Sequence, residues 1–201
     1  MATIACEKEH IKLDAYFPLE EGTQWCYGSY FDGEALTQAE WKIEGDTTVD
    51  GKIYKQLTRF GEDFKGIREE NGDFYKRKIG PFVNTTEAEL LFLKTQDPDG
   101  ASWEQIIGEQ KYVFSQVVLP ELLVHDKVWT DIIEVRIALF YKNLNGEFEP
   151  YIDWDTQEPA VARYDFANGK GLVSLHEPAA FNHFTDFAYS ASNAMIIVEC
   201  N

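Results

Sequence analysis

The fold is decided by a short aromatic segment near the start of the chain, which reads Trp25-Cys26-Tyr27-Gly28-Ser29-Tyr30-Phe31. Successive side chains of a strand point to opposite faces, and here both faces carry aromatic rings. Just upstream, Pro18 restricts the backbone and Gly22 permits a turn. The pattern predicts a β-strand that begins directly after a turn.

Turn signals divide the remainder of the chain. An Asn or Asp followed by Gly tolerates the positive φ angles of a tight hairpin turn. Most of these pairs separate stretches in which apolar or aromatic residues alternate, and this combination predicts antiparallel β-structure. The six pairs are Asp32-Gly33, Asp50-Gly51, Asn71-Gly72, Asp99-Gly100, Asn145-Gly146 and Asn168-Gly169.

Two later runs, 111–118 and 127–141, are rich in Val, Ile, Trp and Phe and are predicted to be strands. In the second run, the alternation buries the odd positions from 133 onward and exposes Glu134 and Arg136. The run 194–199 is predicted to be the closing strand of the fold.

A minor helical content is also predicted. Residues 86–93 fit a helical turn by their Glu, Ala and Leu content, and a short helix is expected within residues 179–192. No linker or shift in composition divides the chain. We therefore predict a flexible N-terminal tether, residues 1–15, followed by a single β-rich domain, residues 16–201.

Length and composition narrow the class of protein. The chain has 201 residues, of which 44% are apolar and 14% aromatic, and this is typical of a folded domain rather than a disordered one. Its net charge is −17, with acidic residues scattered along the chain. Such a surface repels phosphate backbones and anionic headgroups, so nucleic acid is excluded as an expected partner.

The three cysteines suggest a location. Thr3-Ile4-Ala5-Cys6 is similar to the end of a bacterial lipobox, in which a small residue precedes a cysteine that is lipidated after cleavage; the alternative is a free thiol in a floppy terminus. Cys26 and Cys200 lie in the predicted first and last strands. If these strands are neighbours, a disulfide between them would contribute about 4–5 kcal/mol in the entropic model. Two separate buried thiols are the alternative.

A series of short motifs follows one order along residues 16–173. The first three are Phe17-Pro18-Leu19 with Gly22, Trp25 and Tyr27, then Asp50-Gly51-Lys52-Ile53-Tyr54, then Arg68-Glu69-Glu70-Asn71-Gly72-Asp73-Phe74-Tyr75. A partial match, Glu89-Leu90-Leu91-Phe92 with Gly100 and Trp103, precedes Asp131-Ile132-Ile133-Glu134-Val135 and the hairpin 164–173. In this order they resemble exported lipoproteins common among the Bacteroidetes, although Ala101 and Lys170 depart from the usual pattern.

The resemblance implies a strongly curved antiparallel sheet that forms an open or half barrel, lipocalin-like or lipoprotein-carrier-like. A β-sandwich is the alternative. It also implies residence in the bacterial cell envelope, as a periplasmic or surface lipoprotein, or secretion. The start Cys6-Glu7-Lys8-Glu9 resembles the acidic leader of such lipoproteins. An apolar signal joined to Cys6 is therefore expected in the complete gene, and membrane contact is expected only through a lipid anchor.

The sequence contains no motif that is specific for a known catalytic mechanism. Phosphate-binding glycine loops, His-Glu-x-x-His and Gly-x-Ser-x-Gly are all absent from it. His176 and His183 match no metal-ligand spacing, so no metal or cofactor is predicted. Carboxylate pairs remain for an acid and base in glycoside hydrolysis, and these are Asp153 with Asp155 and Glu147 with Glu149.

The aromatic surplus favours binding over catalysis. Trp25, Trp103 and Trp129 are predicted to fill the core, which leaves Trp41 and Trp154 as ligand-binding candidates, together with the acids Asp153 and Asp155. The leading hypothesis is a non-catalytic module whose curved sheet binds a small apolar or carbohydrate ligand, or another envelope protein. The alternatives are a carboxylate-dependent hydrolase acting on glycans and a structural or adhesion module without a pocket.

Overall fold

Antiparallel strands dominate the computed structural model, which describes residues 16–31, 34–59, 62–78, 89–153, 156–176 and 194–198. Thirteen strands and no helix occur within these ranges. The strands are β1 (Gln24–Phe31), β2 (Glu34–Val49), β3 (Lys52–Arg59), β4 (Glu62–Glu70), β5 (Asp73–Lys78), β6 (Leu90–Lys94), β7 (Ser102–Ile107), β8 (Gln110–Val124), β9 (Lys127–Lys142), β10 (Phe148–Pro150), β11 (Val161–Ala167), β12 (Gly171–His176) and β13 (Ala194–Val198).

Four of the five described turn dipeptides lie between paired antiparallel strands, as predicted. The prediction is wrong for Asp99-Gly100, which lies between β6 and β7, the two strands at opposite ends of the sheet order. Asp50 and Gly51 have φ angles of 52° and 76°, and Asn71 and Gly72 have 55° and 81°. Positive φ at both central residues is the geometry of a two-residue hairpin, and these pairs join β2 to β3 and β4 to β5. The pair Asp32-Gly33 lies outside the described residues.

One sheet contains all the strands. Its order is β6-β5-β4-β3-β2-β1-β13-β12-β11-β9-β8-β7, with β10 added alongside β9. Strand β13 is inserted between β1 and β12, so the last strand joins the two meanders of the chain. The sheet curls strongly into a half barrel, which confirms the predicted fold class.

The two edges of the half barrel approach each other at β6 and at the β7–β8 hairpin. Here side chains of β7 and β8 form hydrogen bonds with the backbone of β6. The Gln116 carboxamide accepts from Lys94 N and donates to Lys94 O, both at 2.8 Å. Trp103 Nε1 donates to Leu91 O at 3.1 Å, and Leu91 N donates to Gln105 Oε1 at 3.0 Å. These bonds satisfy backbone groups that an open sheet edge would leave unpaired.

The interior of the half barrel is packed with aromatic rings. Phe17, which precedes β1, is only 1% exposed and contacts four rings from different strands. Its ring centroid lies 5.2 Å from Trp25, 6.4 Å from Phe74, 5.9 Å from Phe92 and 6.2 Å from Phe166. Phe17 therefore fills the centre of the curled sheet and contacts strands from both halves of it. We call Phe17 and these four rings the plug.

Three of the five tryptophans pack as predicted. Trp25 and Trp129 are buried, and Trp103 stacks on Phe114 with centroids 4.8 Å apart. Trp25 Nε1 also donates to Lys170 O at 2.7 Å. A Cβ atom at Gly171 would lie 2.8 Å from that indole nitrogen, so the β11–β12 turn approaches the Trp25 ring closely.

The predicted helical turn at 86–93 is wrong over its described part. Residues 90–94 form strand β6, where Leu90, Phe92 and Leu93 join the core. Pairing with β5 and burial of these side chains outweigh their helical propensity. Residues 86–88, and the short helix predicted within 179–192, lie outside the described residues, as does the tether 1–15.

Candidate functional site

A surface pocket of about 290 Å³ lies where β9, β10 and the following loop meet. Its volume is near the lower end of the range of small-molecule sites, about 300–1,000 Å³. Aromatic and aliphatic groups dominate the lining, with one amide among them. The lining residues are Tyr141, Pro150, Tyr151, Ile152 and Gln157.

Backbone pairing holds the pocket in a defined place. Tyr141 lies opposite Glu149 in the β9–β10 register. Tyr151 N donates to Leu139 O at 2.8 Å, and Ala160 N donates to Tyr151 O at 2.7 Å. The loop is thus hydrogen-bonded to β9 through Tyr151, which holds this part of the pocket lining against the sheet.

Two tyrosines form adjacent walls of the pocket. The rings of Tyr141 and Tyr151 are 6.3 Å apart between centroids and 80° apart in plane, an edge-to-face contact. Tyr141 is 41% exposed, whereas Tyr151 packs partly against the core. Tyr141 is therefore the more exposed of the two tyrosines at this site.

Tyr141, which lines the pocket, is hydrogen-bonded to a carboxylate on β10. The Glu149 carboxylate accepts from Asn143 Nδ2 at 2.7 Å and from Tyr141 Oη at 2.9 Å. These bonds, first that of Asn143, lower the pKa of Glu149, while the bond to Glu149 raises the pKa of Tyr141. At neutral pH the pair is a carboxylate and a neutral phenol.

The loop beside the pocket is organised by Asp153, a residue that the sequence analysis selected. Its Oδ1 accepts from Thr156 N at 3.0 Å and from Thr156 Oγ1 at 3.3 Å. Its backbone accepts from Gln157 N at 2.9 Å and donates to Glu158 O at 2.8 Å. Asp153 thus shapes the loop that presents Gln157, whose φ angle is 59°.

The other predicted ligand-binding residues have different outcomes. Trp154 and Asp155 lie outside the described residues. Trp41 is 0% exposed and packs on Tyr27 with ring centroids 4.5 Å apart, so it does not line this surface pocket, and its role in ligand binding stays a prediction. Its place on β2 turns the indole into the core. Tyr141 and Tyr151 were not predicted as site residues, and the only signal in the sequence was their nearness to Pro150 and Asp153.

A buried carboxylate pair lies elsewhere, on the outer side of β9 and β11. Asp165 and Glu134 are opposite each other in the register and both are buried, so the predicted exposure of Glu134 is wrong. Arg136 binds Glu134 at 2.6 Å, which explains how this carboxylate tolerates burial. Ser174 Oγ donates to Asp165, and burial raises the pKa of Asp165 despite that bond.

A second charged cluster lies on β3, β4 and the start of β6. Glu89 accepts from Tyr54 Oη at 2.6 Å and from Lys52 Nζ at 2.8 Å. It also forms a bidentate salt bridge with Arg68. The Arg68 guanidinium also lies 4.0 Å from the Tyr75 ring centroid. Every group in this cluster has its partner within the chain, so we interpret the cluster as structural.

One of the three cysteines, Cys26, lies within the described residues. Cys26 is buried and disulfide-bonded. It lies opposite Val198 in the pairing of β1 with β13, and this makes the predicted first and last strands neighbours. Cys6 and Cys200 both lie outside the described residues, so the pairing of Cys26 with Cys200 stays a prediction, as does lipidation of Cys6.

Within the described ranges, no group of three or more His, Cys, Asp or Glu side chains is placed to hold a metal ion. The same part of the chain contains no helix long and apolar enough to cross a membrane. Comparison with known proteins finds no family model, no curated protein and no solved structure that matches this chain.

Proposed function

We propose that this protein is a non-catalytic binding module of the bacterial cell envelope, exported or lipid-anchored, that holds a small ligand in the pocket of Tyr141 and Tyr151. The observation that carries the proposal is the pocket itself, in which the rings of Tyr141 and Tyr151 stand beside the side chain of Gln157 from the following loop. Concave sites of this composition, with apolar walls and a few placed polar groups, are typical of ligand binding.

The packing of the half barrel supports a surface site rather than an internal one. Phe17 and the four rings around it occupy the centre of the curled sheet. A ligand carried inside the sheet would have to displace this plug. The rigid sheet therefore serves as a frame, and the β9–β10 edge presents the site.

The disulfide of Cys26 supports export. Structural disulfides persist in oxidising compartments such as the periplasm and the cell exterior, and they are rare in the cytosol. Pairing of Cys26 with Cys200 would leave Cys6 as the remaining cysteine, free for lipidation. Both features are consistent with a folded domain tethered by residues 1–15.

The carboxylates near the pocket favour binding over hydrolysis. A general acid needs a raised pKa, but the pKa of Glu149 is lowered by its bonds to Asn143 and Tyr141. Asp165 has the raised pKa expected of an acid, yet it is 0% exposed and its carboxylate is engaged by Ser174. No substrate reaches Asp165 in this conformation.

Two measurements test the proposal. Nuclear magnetic resonance titration of the whole protein, with sugars, choline and decanoate as separate probes, is expected to shift amide signals around residues 141–157. Mass spectrometry of the recovered probe is expected to show it unchanged. Cleavage of the probe by the protein would contradict a non-catalytic role.

Export is tested separately. The complete gene, expressed in a bacterium fed an alkyne-labelled fatty acid, is expected to yield a labelled membrane-associated protein, and Cys6→Ala is expected to remove the label. An unlabelled protein that remains in the cytosol, with Cys26 reduced, would refute residence in the envelope.

A further inference from the structure

We infer that Asp165 is a pH-sensitive switch in the part of the sheet formed by β9, β11 and β12. With its proton, Asp165 is a neutral buried acid that these strands tolerate. Without the proton, it is a buried anion that loosens them. Three observations carry the inference: the burial of Asp165, a carboxyl oxygen without a hydrogen bond, and a second carboxylate that faces it.

The carboxyl group of Asp165 is enclosed by protein. Asp165 is 0% exposed and lies on β11, between the neighbouring strands β9 and β12. Its Oδ2 accepts from Ser174 Oγ and lies 3.4 Å from Arg163 Nε. Its Oδ1 has no hydrogen-bond partner among the described residues. A proton on Oδ1 would turn this atom into a donor, whereas ionisation leaves a buried charge with one oxygen unsatisfied.

The Glu134 carboxylate faces this group from β9. Glu134 lies opposite Asp165 in the register and is 4% exposed. Its Oε1 accepts from Arg136 Nε at 2.6 Å, but its Oε2 is 3.9 Å from Arg163 Nε, which is too far for a hydrogen bond. Glu134 therefore keeps acceptor capacity beside the Asp165 carboxyl group. When two carboxyl groups share a buried site, one of them tends to keep its proton.

The two cations beside the pair compensate its charge only in part. The side chains of Arg136 and Arg163 are 59% and 46% exposed, whereas both carboxyl groups are buried. Water screens the attraction of exposed guanidinium groups. Ionisation of Asp165 would thus place a second anion against Glu134 without a buried cation to balance it.

The adjoining strands bring no charge directly opposite the pair. Ser174 on β12 lies opposite Asp165, and Val117 on β8 lies opposite Glu134. Neither side chain carries a charge. The next titratable residue of β12 is His176, which is exposed at the end of that strand. The neighbours of Asp165 on β9, β11 and β12 therefore leave its proton state to burial and to the three charged groups named above.

The direction of the effect on stability follows from these contacts. Burial raises the pKa of Asp165 above the ordinary value of 3.8, against the opposing effects of Ser174 and Arg163, and Glu134 raises it further. The folded state therefore holds the proton more tightly than the unfolded chain does. Stability is expected to fall as the pH rises from 3.8 towards the raised pKa, and to stay at the lower level above it.

The position of Asp165 makes this titration a property of the sheet. Strand β12 pairs with β13, which joins the two meanders of the chain. A buried anion is costly until water reaches it, and water reaches Asp165 only when the strands around it separate locally. Loss of the proton is therefore expected to increase local opening of β9, β11 and β12.

Urea unfolding from pH 3.8 to neutral pH tests the sign. Asp165→Asn keeps the shape of the protonated acid, and its amide donates and accepts but does not titrate. We expect the unfolding constant of the parent, divided by that of the variant, to rise by up to about tenfold per pH unit and then to level off. Asp126→Asn, exposed in the β8–β9 turn, is the matched control and should track the parent curve. A ratio for Asp165→Asn that is constant, or that falls with rising pH, would overturn the inference.

Carbon nuclear magnetic resonance of the carboxyl groups reads Asp165 in the parent protein, so the test does not require that the Asn variant folds. The midpoint of the Asp165 signal is expected above 3.8. Arg163→Gln is expected to raise it further, since a nearby cation is lost, and Glu134→Gln to lower it, since the facing anion is lost. A parent midpoint at or below 3.8 would overturn the inference.

Amide hydrogen exchange tests whether ionisation loosens the strands. After correction for the intrinsic effect of pH on exchange, the parent is expected to lose protection on β9, β11 and β12 as the pH rises to neutral, and Asp165→Asn is expected to keep it. Amides of β3 and β4, in the other half of the sheet, are the internal reference. Equal protection of β11 and β12 in both proteins would overturn the switch.

Discussion

The Gln116 side chain pairs with the backbone of Lys94 as a neighbouring strand would, accepting from the N–H and donating to the C=O at 2.8 Å each. Gln116 is buried on the same face of β8 as Tyr112 and Phe114. A glutamine in an apolar row thus supplies the hydrogen bonds that the curled sheet lacks between its edges. The same side chain donates to Pro98 O at 3.4 Å and so connects the β6–β7 loop to β8 as well. We call these contacts of Gln116 with Lys94 and Pro98 the seam.

Gln116→Leu tests the seam. The substitution keeps the volume but leaves the N–H and C=O of Lys94 unsatisfied, and each buried orphan group costs about 1–3 kcal/mol. We expect the free energy of unfolding, measured by urea titration, to fall by about 2–4 kcal/mol. Gln96→Leu, at an exposed position in the neighbouring loop, is the control and is expected to change it by less than about 0.5 kcal/mol. Equal effects of the two substitutions would refute the role of the seam.

Gly171→Ala tests the close approach of Trp25. Gly171 has a φ angle of 87°, and an added Cβ would lie 2.8 Å from the indole nitrogen. Gly100 has a φ angle of 74° with open space around it, so Gly100→Ala carries the backbone strain without the clash. We expect Gly171→Ala to lower the free energy of unfolding, measured by urea titration, by about 1–3 kcal/mol more than Gly100→Ala does. Similar losses for both would show that the Trp25 ring adjusts without penalty.

The sequence predicted the parts of this fold that depend on local chemistry. Asn71-Gly72 adopts the positive φ angles that its residue types allow, and the strand at 127–141 lies within β9. The pairing of Gln116 with Lys94 could not be predicted from the sequence, because the two residues lie in different strands. No local pattern indicates that a glutamine side chain will bond to the backbone of a distant strand. Burial of Glu134 was missed for the same reason, since its neutralising partners include Arg163 from β11 as well as Arg136.

The candidate site was predicted only in part. Asp153 was selected for its acidic neighbours and does organise the loop beside the pocket. Tyr141 has the same alternation as any strand residue, and its role follows from the place where β9 meets β10. Trp41 was selected as a large aromatic residue, but curling of the sheet turns it inward against Tyr27. Sequence patterns identify faces of a strand, whereas curvature decides which face is enclosed.

The Glu89 cluster predicts how stability responds to acid. Burial alone would raise the pKa of Glu89, but hydrogen bonds from Arg68, Lys52 and Tyr54 outweigh it and lower the pKa to about 2. The unfolded chain has the ordinary value of 4.5, so the carboxylate stabilises the folded state above that pH. This contribution is expected to be lost as the pH falls from 4.5 towards 2.

Glu89→Gln isolates this contribution. Urea unfolding between neutral pH and pH 2 should show the variant losing less stability than the parent protein over the acidic part of the range, because its amide does not titrate. Glu121→Gln, at an exposed position of β8, should track the parent curve. If the Glu89→Gln curve ran parallel to that of the parent, the carboxylate would not be the stabilising ion that its contacts indicate.

The disulfide of Cys26 predicts a specific peptide map. Cys26 lies opposite Val198 in the pairing of β1 with β13, and Cys200 is two residues after Val198 in the sequence. Non-reducing proteolysis and mass spectrometry of the oxidised protein are expected to find Cys26 joined to Cys200. Reduction is expected to lower the free energy of unfolding by about 4–5 kcal/mol in the entropic model, since the bridge closes most of the chain. Cys6→Ala should leave both results unchanged, and a peptide that joins Cys26 to Cys6 would contradict the assignment and remove the cysteine proposed for lipidation.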